Sequence, residues 1–358
     1  MAMGDRPGTT RTSPGSGPGP DVVRGTDELT ADAAYRLTRS GTRIEWRGDY
    51  QNARQLLAAM GRRARKGKPP RDFAAQRRAT AEQAEILGRL LIPVEPGCVI
   101  PLRRAPDVRQ ACLAAGCPPD EAFTLSLREL LGMIGAQQWR EKGVYVPALA
   151  ERIHPHYGVF SPVRGEYVDL VAEAPLPGGG TAFDIGTGTG VLAAVLARRG
   201  LDSVIATDTN PRAVACARDN IDRLGLADVV EVRETDLFPP MRADLVVCNP
   251  PWVPSAPSSE LEQGIYDPES RMLRAFLAEL APHLNPGGEG WLVLSDLAEH
   301  LGLRGREELT GMFAAAGLSV TGRLEAQPKH KRSKDSSDPL HAARAAERTV
   351  LWRLRAQD

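Results

Sequence analysis

Phe183-Asp184-Ile185-Gly186-Thr187-Gly188-Thr189-Gly190 is the stretch on which the fold turns. A short apolar run, Ala182 to Ile185, ends beside glycines spaced by single residues, and a helical stretch near Gly190 to Arg199 follows. Such a loop lets the backbone approach a ligand closely and presents helix N-terminal N–H groups to it. Taken alone, G-x-G-x-G would equally suit a nicotinamide dinucleotide enzyme. It defines a strand–loop–helix unit and nothing more.

Working outward, the same rhythm recurs. Further strands are expected at Ser203 to Thr207, Val229 to Arg233, Ala243 to Cys248 and Gly290 to Ser295. Helices are expected at Pro211 to Leu224, where Asn210 and Pro211 supply a cap and first turn, and at Glu269 to Leu284. Alternation of this kind predicts an α/β fold with a parallel sheet covered on both faces. Two late strands, Leu318 to Ala326 and Arg348 to Leu354, flank a basic insert and would close the sheet.

Each of the first four strands ends in a polar or glycine-rich cluster. After the glycine loop come Thr207-Asp208-Thr209-Asn210, Thr235-Asp236-Leu237-Phe238 and Asn249-Pro250-Pro251-Trp252. Open α/β sheets bind ligands beyond the carboxyl ends of their strands, so four clusters at one edge predict one site. Asp208 suits the ribose of either kind of cofactor. Asn249-Pro250-Pro251-Trp252 is more specific. A side-chain amide oxygen and a neighbouring carbonyl can accept both hydrogens of a planar amino or amide group, and the aromatic ring can stack on it. Prolines lack N–H donors and stiffen that frame. Methyl transfer from a sulfonium then needs mainly alignment, because the leaving group is neutral.

On these motifs, residues from about Phe160 to Pro254 resemble class I S-adenosylmethionine-dependent methyltransferases. The HemK-type N5-glutamine methyltransferases and their N-P-P-[YFW] relatives are the nearest in pattern. Phe160-Ser161-Pro162-Val163-Arg164-Gly165-Glu166-Tyr167 echoes the Pro-Arg-x-x-Thr-Glu segment of those enzymes. The resemblance implies a Rossmann-like seven-stranded sheet whose last strand is antiparallel. It implies S-adenosyl-L-methionine as cofactor, with Asp184, Gly186, Thr187, Gly188 and Gly190 along the methionine moiety. It further implies Asp208 on the ribose, Asp236 and Leu237 at the adenine, and Asn249 with Pro250 on the acceptor nitrogen, Pro251 and Trp252 completing the acceptor loop. Trp252 stands where HemK-type enzymes usually carry tyrosine; Phe or Trp there also occurs in nucleic-acid amino methylases. Gly264 to Ser270 departs from the Glu-Pro-x-x-Ala-Leu stretch of the glutamine enzymes.

Upstream the pattern differs. Residues 1–25 begin with five Gly and four Pro in the first 20 positions, too little apolar surface to offset chain entropy, and read as a disordered tail. Residues 27–150 read as a mainly helical accessory domain. Its helices start near Asp49, run from Asp72 through Leu91, and resume near Asp120 with Phe123, Leu127, Leu130 and Leu131 inward. Between the last two, Pro93 to Pro101 mark a short extended piece. Residues 151–358 are then the catalytic domain.

With 358 residues, 45 basic and 45 acidic, the chain sums to zero charge, yet the charges are segregated. Residues 36–78 carry 13 Lys/Arg against three acids, and the stretch from Glu166 to Glu308 is acidic. Lys329-His330-Lys331-Arg332-Ser333-Lys334 lies in the last hairpin. These basic segments read either as solvated faces or as contacts for a polyanion or an acidic partner. No apolar run of about eighteen residues occurs, so no membrane span is expected. The N-terminus lacks the apolar core of a signal peptide, and five cysteines without C-x-x-C argue against a disulfide framework; a cytoplasmic location is expected. His154 and His156 stand two apart without companions, so no metal is expected. The reading is therefore an N-methyltransferase acting on an amide or exocyclic amino nitrogen in a protein or nucleic-acid substrate. Methylation of a small natural product, or nucleic-acid binding without catalysis, are the alternatives.

Overall fold

The computed structural model describes residues 22–66, 70–257, 261–328 and 338–357. The chain divides into two compact units, Met1–Gln138 and Trp139–Asp358.

The first unit runs β1 (Val22–Gly25), α1 (Ala31–Arg39), β2 (Arg43–Trp46), α2 (Tyr50–Ala64), α3 (Phe73–Gly88), β3 (Leu90–Val94), α4 (Arg109–Ala114), β4 (Phe123–Ser126) and the start of α5 (Leu127–Lys142). It is rich in helix, and α2 and α3 begin where Asp49 and Asp72 cap them, each side chain accepting a backbone N–H of the first turn. The sequence reading missed its four-stranded sheet, ordered β1-β2-β3-β4, with the first three strands parallel and β4 antiparallel to β3. Two boundaries change accordingly. Val22–Gly25 pairs with β2, so the tail cannot extend to residue 25; residues 1–21 lie outside the described residues. The helix from Asp72 stops at Gly88, because Pro93 favours extended backbone before it and Leu90-Leu91-Ile92 is short enough to serve either state. Phe123–Ser126, expected in a helix, is strand, and the helix starts at Leu127 with Ser126 Oγ accepting the Glu129 N–H at 3.0 Å.

The second unit opens with a hairpin, β5 (Val144–Val146) and β6 (Glu151–Ile153). Then follow α6 (Glu166–Glu173), β7 (Thr181–Ile185), α7 (Val191–Arg198), β8 (Ser203–Asp208), α8 (Pro211–Arg223), β9 (Val230–Glu234) and β10 (Ala243–Cys248). The remainder is α9 (Arg271–Leu280), β11 (Leu284–Ser295), α10 (Leu297–His300), α11 (Arg306–Ala315), β12 (Leu318–Ala326), α12 (His341–Ala346) and β13 (Thr349–Ala356). Seven strands form one sheet in the order β12-β13-β11-β10-β7-β8-β9. The strands from β7 to β11 are parallel, and β13 runs antiparallel to both β11 and β12. The Rossmann-like seven-stranded expectation holds, reversed last strand included.

Burial on both faces follows from alternation along each strand. Leu245, Val247, Trp291 and Val293 pack on one face beneath α6 and α7, with Tyr167, Val168, Leu192 and Val195. Their neighbours Val246, Cys248, Leu292 and Leu294 pack on the other face with Phe276 and Leu280 of α9 and Phe313 of α11. Among the described residues no helix is long and apolar enough to cross a membrane.

Candidate active site

From β7 the chain steps outward through β8 to β9, then returns to the other side of β7 with β10. The crevice between the ends of β7 and β10 is thus the topological switch point, where open parallel sheets take ligands. All four predicted clusters emerge at this end. The glycine loop follows β7, Asp208 ends β8, Asp236 and Leu237 follow β9, and Asn249 to Trp252 follow β10.

The glycine loop needs its glycines. Gly186, Gly188 and Gly190 have φ of 70°, 57° and 79°, a region that side-chain-bearing residues rarely adopt. A Cβ on Gly190 would sit 3.2 Å from the Ala217 Cα, whereas one on Gly188 would meet nothing within 4 Å, which marks Gly188 as the open side of the loop. Asp184 is 1% exposed, and its Oδ2 accepts from Thr187 Oγ1 (2.6 Å) and the Ala193 N–H (3.0 Å). Its carboxylate braces the loop against the first turn of α7. Thr187 also donates its N–H to the Thr207 carbonyl at 2.9 Å, tying the loop to β8.

Burial pushes the Asp184 carboxyl up to about 6, against 3.8 for the free side chain. The native state therefore takes up a proton over that window which the unfolded chain does not. By linkage this residue's contribution to stability falls as pH rises from about 4 to about 6. Asp184→Asn, which keeps an oxygen for both donors, is expected to flatten that dependence. Thermal midpoints should show the variant gaining on the parent at pH 7 relative to about pH 4.5; parallel profiles would refute the assignment.

Asp208 is half-buried. Its Oδ2 accepts the Gly188 N–H (3.0 Å) and its Oδ1 the Asn210 N–H (2.9 Å), and burial raises its carboxyl above the ordinary value. With the Thr209 N–H also bonded to it, the carboxylate keeps a lone pair for a further donor. Asp236 is exposed at the neighbouring strand end. Leu237 adopts φ of 53°, held there by Thr207 Oγ1 donating to its carbonyl at 2.6 Å.

On the β10 side, Asn249 Oδ1 accepts the Trp252 indole N–H at 2.8 Å. The Trp252 ring packs against both cores, with the Arg164 guanidinium 4.8 Å from its centroid. Pro250 is buried and Pro251 partly so. Sequence reasoning missed several residues that shape this side. Arg304 is 5% exposed and donates to Ser270 Oγ (3.1 Å) and the Trp252 carbonyl (3.3 Å), with no carboxylate bonded to it among the described residues. Asp267 is buried and accepts the Met272 and Leu273 N–H groups at 3.1 Å each, anchoring α9. Asp267-Pro268 before an apolar stripe is a helix-start signal that marked it; nothing local marks Arg304.

The two histidines sit elsewhere in this unit. His154 lies 2.6 Å from both the Arg140 carbonyl and Arg223 Nη2, and His156 pairs with Asp219 at 2.8 Å. Among the described residues no group of three or more His, Cys, Asp or Glu is placed to hold a metal. Residues 329–334 lie outside the described residues.

Sheet order, reversed last strand and clusters at the switch point are those of a class I S-adenosylmethionine-dependent methyltransferase fold, and residues 152–313 match the methyltransferase small domain family. Over 170 residues the chain is 36% identical to the release factor glutamine methyltransferase of Cereibacter sphaeroides, covering 46% of this chain and 57% of that protein. Over 153 residues it is 37% identical to the ribosomal protein L11 methyltransferase of Pelotomaculum thermopropionicum, covering 41% of each. The chain spans about half the length of the curated relatives it matches. The crystal structure of a ribosomal protein L11 methylase from Lactobacillus delbrueckii subsp. bulgaricus aligns at 18% identity and a TM-score of 0.37, over 54% of this chain and 77% of that one. The resemblance to HemK-type enzymes is borne out over the matched residues.

Proposed function

We propose that this protein is an S-adenosylmethionine-dependent N-methyltransferase that modifies an amide or exocyclic amino nitrogen of a macromolecule, with a protein glutamine as the favoured acceptor. One observation carries the reading: Asn249-Pro250-Pro251-Trp252 faces the glycine loop across the switch point. The names of the relatives, a release factor glutamine methyltransferase and an L11 methyltransferase, support a protein acceptor.

The residues present fit the cofactor. The open side of the loop lies at Gly188, and Asp208 offers a lone pair beside it. In this reading Asp208 holds a ribose, Asp236 and Leu237 border the base, and Gly186 to Gly190 follow the amino-acid end. When bound, S-adenosylmethionine supplies a methyl group on a cationic sulfur. Asn249 Oδ1 and the Pro250 carbonyl accept the two N–H bonds of the acceptor, directing its lone pair towards the crevice. In this reading the Trp252 ring stacks on the planar group. Orientation supplies most of the rate, and no strong base is needed. The basic segment 36–78 of the first unit, where Arg54, Arg62 and Arg65 rim an open groove of about 750 Å³, is a candidate substrate contact.

Calorimetry with S-adenosylhomocysteine tests the cofactor; a folded protein that does not bind it would overturn the reading. Transfer of labelled methyl into fractionated lysate, followed by protease or nuclease digestion, tests the acceptor. Label released by protease supports protein, and label released by nuclease moves the acceptor to a base.

A further inference from the structure

Trp252 is held from three directions: by Asn249 at its N–H, by Arg164 at its ring and by Arg304 at its carbonyl. An indole N–H can only donate, so Asn249 must turn its oxygen, not its nitrogen, towards it. That contact sets the amide orientation before any substrate arrives, and leaves the oxygen's second lone pair for an incoming N–H. Arg164 is itself fixed. Its Nε donates to Glu166 Oε1 (2.8 Å) and its Nη2 to Glu347 Oε1 (3.0 Å), both carboxylates being buried. Ser295 Oγ donates to the same Glu347 oxygen at 2.5 Å.

We infer that Arg164 is a positioning residue for the proposed reaction. Anchored on Glu166 and Glu347, it pins one face of Trp252 so that the indole N–H holds the Asn249 amide ready to accept. The kinetic side rests on the acceptor reading given above; the structural side does not. A phenylalanine at residue 252 would keep the ring and lose the hydrogen bond. A lysine at residue 164 would keep the charge beside the glutamates and lose the flat face and the fork that bridges them.

The test uses Arg164→Lys and Trp252→Phe in the full chain. Labelling with ¹⁵N-tryptophan gives one indole resonance for each of the five tryptophans, that of Trp252 being the one missing in Trp252→Phe. In Arg164→Lys this resonance should move towards its position in Asn249→Ala. Labelled-methyl transfer into lysate should fall by about ten- to a hundredfold in both variants, with S-adenosylhomocysteine affinity unchanged. A Trp252 resonance in Arg164→Lys that coincides with the parent's, or full turnover in Trp252→Phe, overturns the inference. If the parent transfers methyl to nothing, the functional reading fails, and the indole shift alone decides whether Arg164 positions Trp252.

Discussion

Asn249→Ala is expected to lower methyl transfer by at least about a hundredfold while leaving S-adenosylhomocysteine affinity within about twofold. Asn249 lies on the β10 side of the crevice and touches none of the glycine-loop residues through a hydrogen bond among the described residues; its partner is Trp252. In the proposed reading, removing its amide takes away one of the two acceptors for the substrate nitrogen and frees the indole ring that should stack on it. Both losses fall on the reacting group, so kcat should drop far more than cofactor binding. Stability should fall by only about 1 kcal/mol, the usual cost of one lost hydrogen bond. Single-turnover transfer with calorimetry on the same preparation separates the two effects. An alanine variant that turns over normally would put the acceptor elsewhere.

Asp208→Ala is the complementary case. It removes the half-buried carboxylate at the end of β8 and releases the Gly188 and Asn210 N–H groups that it holds. Cofactor affinity is expected to fall by about a hundredfold, since a charge-assisted pair to a ribose and the loop's own tether are lost together. Turnover at saturating cofactor should fall much less. A normal KM for the cofactor would show that the ribose is held elsewhere. Asp208→Asn, which keeps one acceptor oxygen, should lie between.

The second unit was legible because polar and glycine-rich clusters punctuate its strands. Ala243 to Cys248 and Leu318 to Ala326 fall where the sequence put them, bounded by Asn-Pro-Pro-Trp and by glycine and basic residues. The first unit offered no such punctuation. Its strands are four or five residues long, and Leu90-Leu91-Ile92 carries no period that separates helix from strand. Within the candidate site, the motifs named residues at the strand ends but not the groups packed behind them. Arg164 and Glu347 stand 183 positions apart, and their pairing exists only once the sheet has formed. Asp184 shows the same limit. Its motif position gave no sign that its Oδ2 braces the loop.

The sheet is completed out of order. β13, formed by residues 349–356, slides between β11 and β12, both made earlier in the chain, and Glu347 arrives with it. During synthesis every residue of the crevice is available before the strand that locks it, and Arg164 waits for its second anchor until that last segment emerges. Without β13 the glycine loop and Asn249 would still sit on the five strands β11, β10, β7, β8 and β9, with β12 unpaired beside them. A truncation ahead of Glu347 would thus remove no crevice residue, yet would leave β12 without its partner strand and Trp252 without its full brace.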